Sequence, residues 1–199
     1  MPRRWGIVIH TGASRFTLES LGDRQAEMRA AMSAALTAGH EILASGGSSV
    51  EAVEAAVVVL EDSPHCNAGR GAVFTRDATH ELDAAIMDGR TMTAGAVAAV
   101  RRVKNPVRLA RLVMERSAHV LLVGDGAEAF GRMQGGIEFV PETYFHTDFR
   151  WEQLQRALAR AGGSGGVGGL VGLDRQGGVV MSFNTSGMGR GYMGRTGKR

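Results

Sequence analysis

Apolar residues recur along the chain with the period of a strand in some stretches and of a helix in others. The β-branched run at residues 7–9 predicts a buried strand over residues 5–10. An apolar stripe at helical spacing predicts a first helix over residues 23–43. Ser48 and Glu51 have the spacing of a capping box, so a second helix is predicted to begin there. The first third of the chain is therefore expected to run strand, helix, helix.

The remainder of the chain alternates short apolar runs with helical stripes. Pro106 favours the first turn of a helix that is predicted over residues 105–117. The other predicted elements are strands at 72–75, 82–88, 94–100 and 119–123, helices at 125–130 and 150–160, and a hairpin of strands at 170–173 and 179–183. This order predicts layered α/β packing in which antiparallel pairing dominates.

Composition narrows the class of protein. The chain has 199 residues, of which 44% are hydrophobic, and this fits a single domain with a substantial core. One cysteine, Cys66, cannot form an intrachain disulfide, and no apolar run reaches the ~18 residues of a membrane span, so a cytoplasmic protein is expected. The net charge is +3, with bases and acids interleaved except in the tail at residues 190–199. We interpret that tail as solvated rather than as a nucleic-acid-binding arm.

The general sequence motifs in the chain give little indication of a catalytic or binding site. The Gly-Asp-Gly run at residues 124–126 follows an apolar strand, but it lacks the third glycine of a dinucleotide site and is interpreted as a turn. His65 and His80 lack the spacing of a zinc site, and strand alternation sends His80 and Glu81 to opposite faces. Hydrogen-bonded or solvated histidines are therefore expected. No Gly-x-Ser-x-Gly elbow of a serine hydrolase is present in the sequence.

A long, ordered series of motifs is more specific. Residues 60–75 read LEDSPHCNAGRGAVFT, and residues 80–89 read HELDAAIMDG. The series continues with Ala94-Gly95-Ala96-Val97, Asn105-Pro106-Val107, His119-Val120-Leu121-Leu122-Val123-Gly124, Gly126-Ala127-Glu128 and Arg150-Trp151-Glu152-Gln153-Leu154. Together these runs resemble the α-subunit of plant-type asparaginases, also called isoaspartyl peptidases, over residues 5 to about 160.

The resemblance implies an αββα sandwich of the N-terminal-nucleophile hydrolase type that needs no cofactor. Such an enzyme cuts its own chain to expose a threonine, whose free amine serves as base for its own hydroxyl. The hydroxyl then attacks the side-chain amide of asparagine or a β-aspartyl peptide bond, so the implied substrates are small molecules. The resemblance also implies that the threonine stands at the cleavage point, usually directly after glycine.

This chain contains no Gly-Thr step. Each of its eleven threonines follows a residue other than glycine. Ser164, in the glycine-rich junction of residues 161–169, and Thr185 are the remaining hydroxyl candidates for a nucleophile. We therefore expect a family member that lacks the catalytic threonine and is inactive. The alternative is a non-catalytic remnant that acts as a binding or assembly partner.

The C-terminal part of the chain can be aligned with the family in two ways. In the first, residues 166–174 lie on the family's cleavage strand, and Val167 takes the place of the nucleophile. In the second, residues 170–199 lie on the C-terminal hairpin of the family β-subunit, and a long middle piece is absent. We favour the second because the Phe-Asn-Thr run at 183–185 resembles the terminal pattern. The sandwich would then be incomplete, and its exposed apolar faces would favour a homodimer.

The family's other site residues map onto the loop that follows the second predicted helix. In the family, backbone carbonyls of this loop bind a structural sodium ion. Because such ligands depend on the path of the backbone and not on the side chains, the resemblance implies that the same loop of this chain can bind sodium. The matching residues here are Leu60, Glu61, Ser63, Cys66, Ala68 and Arg70. Asn67 either lies on the floor of the active site or forms a turn before Ala-Gly. The family's His-Gly-Gly-Ala reads His-Thr-Gly-Ala at residues 10–13, so Thr11 is expected to strain a backbone suited to positive φ.

Overall fold

The computed structural model describes residues 5–14, 22, 24–159, 169–173, 178–183 and 187–194. The chain forms two compact units, one from residues 1–60 and 163–199 and the other from residues 61–162. Both units contain helices and strands, which confirms the predicted α/β class. In the part of the chain described, no helix is long and apolar enough to cross a membrane.

The elements follow one another as the periodicity predicts in most places. In chain order they are β1 (Gly6–Ser14), α1 (Arg24–Ala44), α2 (Ser49–Asp62), β2 (Leu82–Asp88), β3 (Thr93–Val100), α3 (Pro106–Arg116), β4 (Leu121–Val123), α4 (Gly124–Gln134), α5 (Asp148–Ala159), β5 (Gly169–Leu173), β6 (Val179–Phe183) and β7 (Gly187–Gly194). Short turns of 3-10 helix lie at Gly69–Gly71 and Glu142–Phe145.

The first unit contains two antiparallel strand pairs. β1 pairs with β7, with Ile7 opposite Met193, and the register shifts after His10. β5 pairs with β6, which confirms the predicted hairpin. Helix α1 approaches β1 closely at Gly39, where a Cβ would collide with the side chain of Ile7. Ile7 is buried, so this contact is part of the core of the first unit.

The capping box predicted for α2 is present with both of its hydrogen bonds. The Ser48 backbone N–H donates to Glu51 Oε2 at 2.8 Å, and the Glu51 N–H donates to Ser48 Oγ at 3.2 Å. Two of the N–H groups at the start of α2 are thus satisfied by side chains of the same turn. The start of the helix is therefore fixed locally.

The second unit is built on a three-stranded sheet in the order β2-β3-β4. β2 and β3 are antiparallel, whereas β3 and β4 run parallel and are joined through α3. Helix α3 lies against β3 at Gly95, where a Cβ would collide with the backbone atoms Ala110 O and Met114 N. Leu109 and Val113 of α3 are fully buried. The core of this unit therefore lies between α3 and one face of the sheet.

Glu128 of α4 fastens the segment that connects β3 to α3. Its Oε1 accepts hydrogen bonds from the backbone N–H groups of Arg101 and Arg102, each at 2.9 Å. Its Oε2 accepts from the guanidinium groups of Arg102 at 3.3 Å and Arg132 at 2.9 Å. Burial alone would raise the pKa of Glu128, but these four donors outweigh burial and lower it. The carboxylate is therefore ionised, and its hydrogen bonds hold the backbone at Arg101 and Arg102 against α4.

Three predictions of local structure are wrong. Residues 72–75 are not a strand, because their N–H groups bond to nearby loop acceptors, as in Thr75 N–H to Thr79 O at 2.7 Å. The Gly-Asp-Gly run at 124–126 is the first turn of α4 rather than a plain turn. Of the predicted solvated tail at 190–199, residues 190–194 instead belong to β7, which pairs with β1, and residues 195–199 lie outside the described residues.

The strain predicted at Thr11 is also absent. Among the described residues other than glycine, positive φ occurs at Ala78, Met92 and Ala99 and not at Thr11. Gly12 has the positive φ, at 109°. Glycine adopts such a conformation without a steric penalty, so the His-Thr-Gly-Ala run fits β1 without backbone strain at Thr11.

Candidate functional site

The loop after α2 folds back tightly on itself. α2 ends at Asp62, and the chain then closes through the 3-10 turn Gly69–Gly71. Gly69 has φ +48°, and a Cβ on it would collide with the carbonyl of Glu61. A Cβ on Gly71 would likewise collide with the carbonyl of Cys66. Both positions therefore require glycine, and backbone oxygens line the space that a Cβ would fill.

The residues predicted to bind sodium lie along this loop. Leu60 and Glu61 belong to the last turn of α2, while Ser63, Cys66, Ala68 and Arg70 lie between that helix and the end of the 3-10 turn. The Ala68 carbonyl accepts the Gly71 N–H at 3.0 Å, and Ser63 Oγ accepts the His65 N–H at 3.3 Å. The Ala68 carbonyl is thus used within the loop itself, while the carbonyls of Glu61 and Cys66 face Gly69 and Gly71.

Asn67 fixes the loop by a side-chain hydrogen bond. Its Oδ1 accepts the Val73 backbone N–H at 3.0 Å, and the residue is exposed. This bond spans six residues and closes the turn that contains Gly69–Gly71. A structural role for Asn67 is therefore present, and its role at an active-site floor stays a prediction.

Arg150 holds the same loop from helix α5, a contact that no motif in the sequence indicates. Its Nε donates to the Gly71 carbonyl at 2.6 Å, and its Nη1 donates to Gln153 Oε1 at 2.9 Å. The side chain is buried, with 7% exposed. A charged donor of this kind makes a stronger hydrogen bond than a neutral one, so Arg150 anchors the loop to α5. The only signal in the sequence is the Arg-Trp run that belongs to the family resemblance.

Glu61 links the loop to helix α3. Its Oε1 accepts the Val107 N–H at 3.1 Å, in the first turn of α3, while Oε2 is buried without a partner among the described residues. Burial raises the pKa of the Glu61 carboxyl to about 8, against the opposing effects of the Val107 and Asn105 amides. Only 3% of Glu61 is exposed. The side chain is therefore a neutral acid at pH 7.

His80 lies in a cluster of aromatic side chains, which we call the His80 cluster: His80, Phe74, Phe145, His146 and Trp151. The His80 ring lies 4.1 Å from Phe74 and 6.1 Å from Phe145, centroid to centroid. Phe74 also contacts His146 at 5.2 Å and Trp151 at 5.5 Å. His80 is buried and Glu81 is exposed, but both residues precede β2, so the strand alternation predicted for them does not apply.

The two ring nitrogens of His80 have different surroundings. Nδ1 lies 3.3 Å from the Val73 carbonyl, whereas Nε2 is buried and has no partner among the described residues. Burial lowers the pKa of His80, and the charge of His146 lowers it further, against the opposing effects of Val73 and Glu142. The imidazole is therefore neutral near pH 7, with its proton on Nδ1 facing the carbonyl.

The three positions considered for the nucleophile belong to the part of the chain that the structure does not describe. Ser164, Val167 and Thr185 lie outside the described residues. In the ranges that are described, no group of three or more His, Cys, Asp or Glu side chains could hold a metal ion. Any ion in the Leu60–Arg70 loop would therefore depend on backbone carbonyls.

Sequence comparisons show the family to which this chain belongs. Residues 3–164 match the family described as Asparaginase. The isoaspartyl peptidase of Escherichia coli is 43% identical over 206 residues, which is 96% of this chain and 64% of the relative. The isoaspartyl peptidase/L-asparaginase of Danio rerio is 40% identical over 198 residues, and that of Homo sapiens is 38% identical over 198 residues. These two alignments cover 96% of this chain but only 62% and 63% of the relatives.

Proposed function

Because this chain belongs to the asparaginase family, we propose that it is related by function to the isoaspartyl peptidases and L-asparaginases but does not itself hydrolyse their substrates. Those substrates would be the side-chain amide of asparagine and β-aspartyl peptide bonds. The observation that carries the proposal is the absence of any threonine directly after glycine. The chain spans 64% of the length of the Escherichia coli relative and 62% of that of the Danio rerio relative.

The proposal follows from the chemistry of self-cleavage. An N-terminal nucleophile needs a hydroxyl at the scissile bond. The hydroxyl attacks the preceding carbonyl, the peptide C–N bond breaks as an ester forms, and water then hydrolyses the ester, which separates the two chains and leaves a free amine that later acts as base. Valine has nearly the shape of threonine but no hydroxyl. A chain with valine at that position would remain intact and would expose no nucleophile.

The extent of the matches to relatives favours one of the two ways to align the C-terminal part, namely the one that places residues 166–174 on the family's cleavage strand. The Danio rerio alignment places 96% of the 199-residue chain on 198 positions, which leaves no room for a long internal gap. A missing middle piece would require such a gap. The alignment that puts Val167 in place of the nucleophile is therefore better supported than the one we favoured from the terminal pattern.

The loop of residues 60–71 supports retention of the family framework. Its glycines close the turn, Asn67 fixes it to Val73, and Arg150 anchors it to α5. We propose that this loop binds sodium through its backbone carbonyls, since the oxygens that face Gly69 and Gly71 come from Glu61 and Cys66. We also propose a cytoplasmic location, because the single cysteine is buried and forms no intrachain disulfide.

Intact-mass analysis together with a hydrolysis assay tests the proposal. After prolonged incubation the purified chain should keep its mass of 21.0 kDa and should release neither ammonia from asparagine nor aspartate from a β-aspartyl dipeptide. The Danio rerio isoaspartyl peptidase/L-asparaginase, assayed in parallel, shows that the assay detects both reactions. Cleavage into two stoichiometric fragments, or turnover of either substrate, would refute the proposal.

Two matched variants identify the nucleophile if cleavage occurs. Ser164→Ala removes the hydroxyl in the glycine-rich junction, and Thr185→Ala removes the other candidate. Loss of cleavage in only one of them would assign the reaction to that hydroxyl. Cleavage that persists in both would place the reaction elsewhere in the chain.

A second candidate function is assembly with another copy of the chain. In the second unit, Met87, Leu121 and Val123 expose about half of their surface, at 50%, 52% and 54%. These side chains alternate with the residues that face α3, so they lie on the face of the sheet that α3 does not cover. An exposed apolar face favours association, because its burial contributes roughly 25 cal/mol per Å².

Light scattering with multi-angle detection tests this second candidate. A homodimer has twice the mass of the 21.0 kDa chain, and Leu121→Lys should shift it towards the monomer. His119→Lys, on an exposed position just outside β4, serves as the control for added charge. A monomer at all concentrations, without binding of a hydrophobic dye, would contradict assembly.

A further inference from the structure

We propose that the His80 cluster is an acid-sensitive latch: protonation of His80 releases residues 72–80 from the segment at residues 142–151. All the groups involved lie in the second unit. The proposal concerns the conformation of the loop region and does not depend on whether the chain hydrolyses a substrate.

The geometry explains why a second proton would open the cluster. In the neutral ring, Nδ1–H faces the Val73 carbonyl, and the lone pair of Nε2 is buried without a donor. Protonation at Nε2 would create a charged N–H donor at a site with no acceptor in the described structure. Burying such a group is unfavourable, so the charged imidazole is more stable when it reaches water. Reaching water requires that the ring leave its contacts with Phe74 and Phe145.

The charged groups around His80 do not offset this cost. The groups that act on His80 are His146, which follows the 3-10 turn Glu142–Phe145, and Glu142 in that turn. Glu142 favours the charged imidazole, but it is exposed and gives His80 no direct hydrogen bond. His146 opposes the charge and lies in the same cluster, across Phe74. Burial therefore dominates.

Opening of the cluster would reach the loop of residues 60–71. Val73 donates to Asn67 and also provides the carbonyl that faces His80. Gly71, two residues earlier, accepts the hydrogen bond from Arg150 of α5. Displacement of residues 72–80 would therefore loosen both contacts that hold the loop.

Proton linkage gives the size of the effect. The open form has an ordinary histidine pKa of 6.5, and in the closed form burial lowers the pKa. Between these two values the open form binds the proton and the closed form does not. The equilibrium constant for opening therefore rises about tenfold for each pH unit of acidification in that interval, and it levels off below the lowered pKa.

The test uses the full chain with Trp5→Phe, which leaves Trp151 as the single tryptophan. Fluorescence of Trp151 and amide exchange in residues 72–80, corrected for intrinsic rates, are followed from pH 8 to pH 4.5, while circular dichroism reports the overall fold. The expected result is a reversible change below pH 6.5, in which exchange accelerates about tenfold per pH unit.

Variants of the two histidines separate the latch from a general effect of acid. His80→Asn keeps a donor near the position of Nδ1 but does not titrate, so it should abolish the change. His146→Gln removes the other imidazole of the cluster and should preserve the change. A transition that survives in His80→Asn, or one that disappears in His146→Gln alone, would overturn the proposal.

A further measurement covers the case in which His80→Asn does not fold. Nuclear magnetic resonance of the histidine rings in the otherwise unchanged chain follows His80 directly. Titration of His80 at a lowered pKa, together with the change in Trp151, supports the latch. Titration of His80 at 6.5 without any change in Trp151, or no change at all down to pH 4.5, would refute it.

Discussion

Replacing Glu61 with glutamine should stabilise the protein by an amount that grows with pH. In the folded chain the pKa of Glu61 is about 8, whereas in the unfolded chain the ordinary value of 4.5 applies. Between these values the folded chain holds a proton that the unfolded chain releases. Stability therefore falls as the pH rises from 4.5 to 8, and it is constant on either side of this window. Glutamine does not titrate, so Glu61→Gln lacks this decrease.

The magnitude follows from the width of the window. Each pH unit within it changes the free energy of unfolding by about 1.36 kcal/mol. Between about pH 5 and about pH 7.5, the advantage of Glu61→Gln over the parent chain should therefore grow by about 3 kcal/mol. The carbonyl oxygen of glutamine can still accept the Val107 N–H, so the first turn of α3 keeps its hydrogen bond.

Urea unfolding of both proteins at the two pH values measures this difference. Glu81→Gln is the matched control, because Glu81 is exposed and pairs with Arg101 at 2.8 Å on the surface. The control should show a difference of less than about 1 kcal/mol at both pH values. An advantage of Glu61→Gln that is equal at the two pH values, or that shrinks as the pH rises, would refute the assignment of Glu61 as a buried neutral acid.

Three further predictions concern the Glu128 carboxylate, the contact between α3 and β3 at Gly95, and the proposed sodium ion in the loop of residues 60–71. Glu128→Ala should destabilise the chain by about 3 kcal/mol or more, because it leaves buried donors unpaired. Glu128→Gln should destabilise it less, because the amide oxygen can still accept from the two backbone N–H groups. Equal losses of stability for the two variants in chemical denaturation would contradict this. Gly95→Ala should cost about 1–3 kcal/mol, since its Cβ meets the backbone of α3, and Gly89→Ala, where the space is open, is the control for a change of similar size. Sodium should raise the melting temperature relative to choline at equal ionic strength if it binds the folded loop alone, and identical melting curves would speak against the ion.

Local signals in the sequence were enough to predict the elements whose ends are fixed by neighbouring residues. The capping box at Ser48 and Glu51 and the proline at the start of α3 both act within one helical turn. Apolar side chains alternate along the runs that form β2, β3 and the β5–β6 hairpin. This alternation indicates a strand and shows which of its faces is buried. In each case the information lies within a few residues of the element that it specifies.

The elements and contacts that were missed depend on partners far along the chain. β7 contains glycine at alternate positions and so has little strand propensity of its own, and it is a strand because β1 provides its hydrogen bonds. The burial of Glu61 depends on α3, and that of His80 depends on Phe145 and its neighbours. A sequence shows that these residues can titrate, but their surroundings exist only after folding.

The family resemblance supplied the location of the candidate site rather than its energetics. It identified the loop of residues 60–71 and the absence of a Gly-Thr step. It did not indicate that Asn67 bonds to Val73 or that Arg150 reaches the loop, because motifs record residue types and not hydrogen bonds.

The hydrogen bond from Arg150 to the Gly71 carbonyl also has a consequence for the order of events during synthesis. Its two residues are 79 positions apart, so the turn at Gly69–Gly71 leaves the ribosome well before its anchor has been made. Closing so large a segment of chain has an entropic cost that local contacts avoid. The loop should therefore acquire its final shape only after α5 has been translated and docked, and amide protection of the loop should appear later in refolding than that of α2.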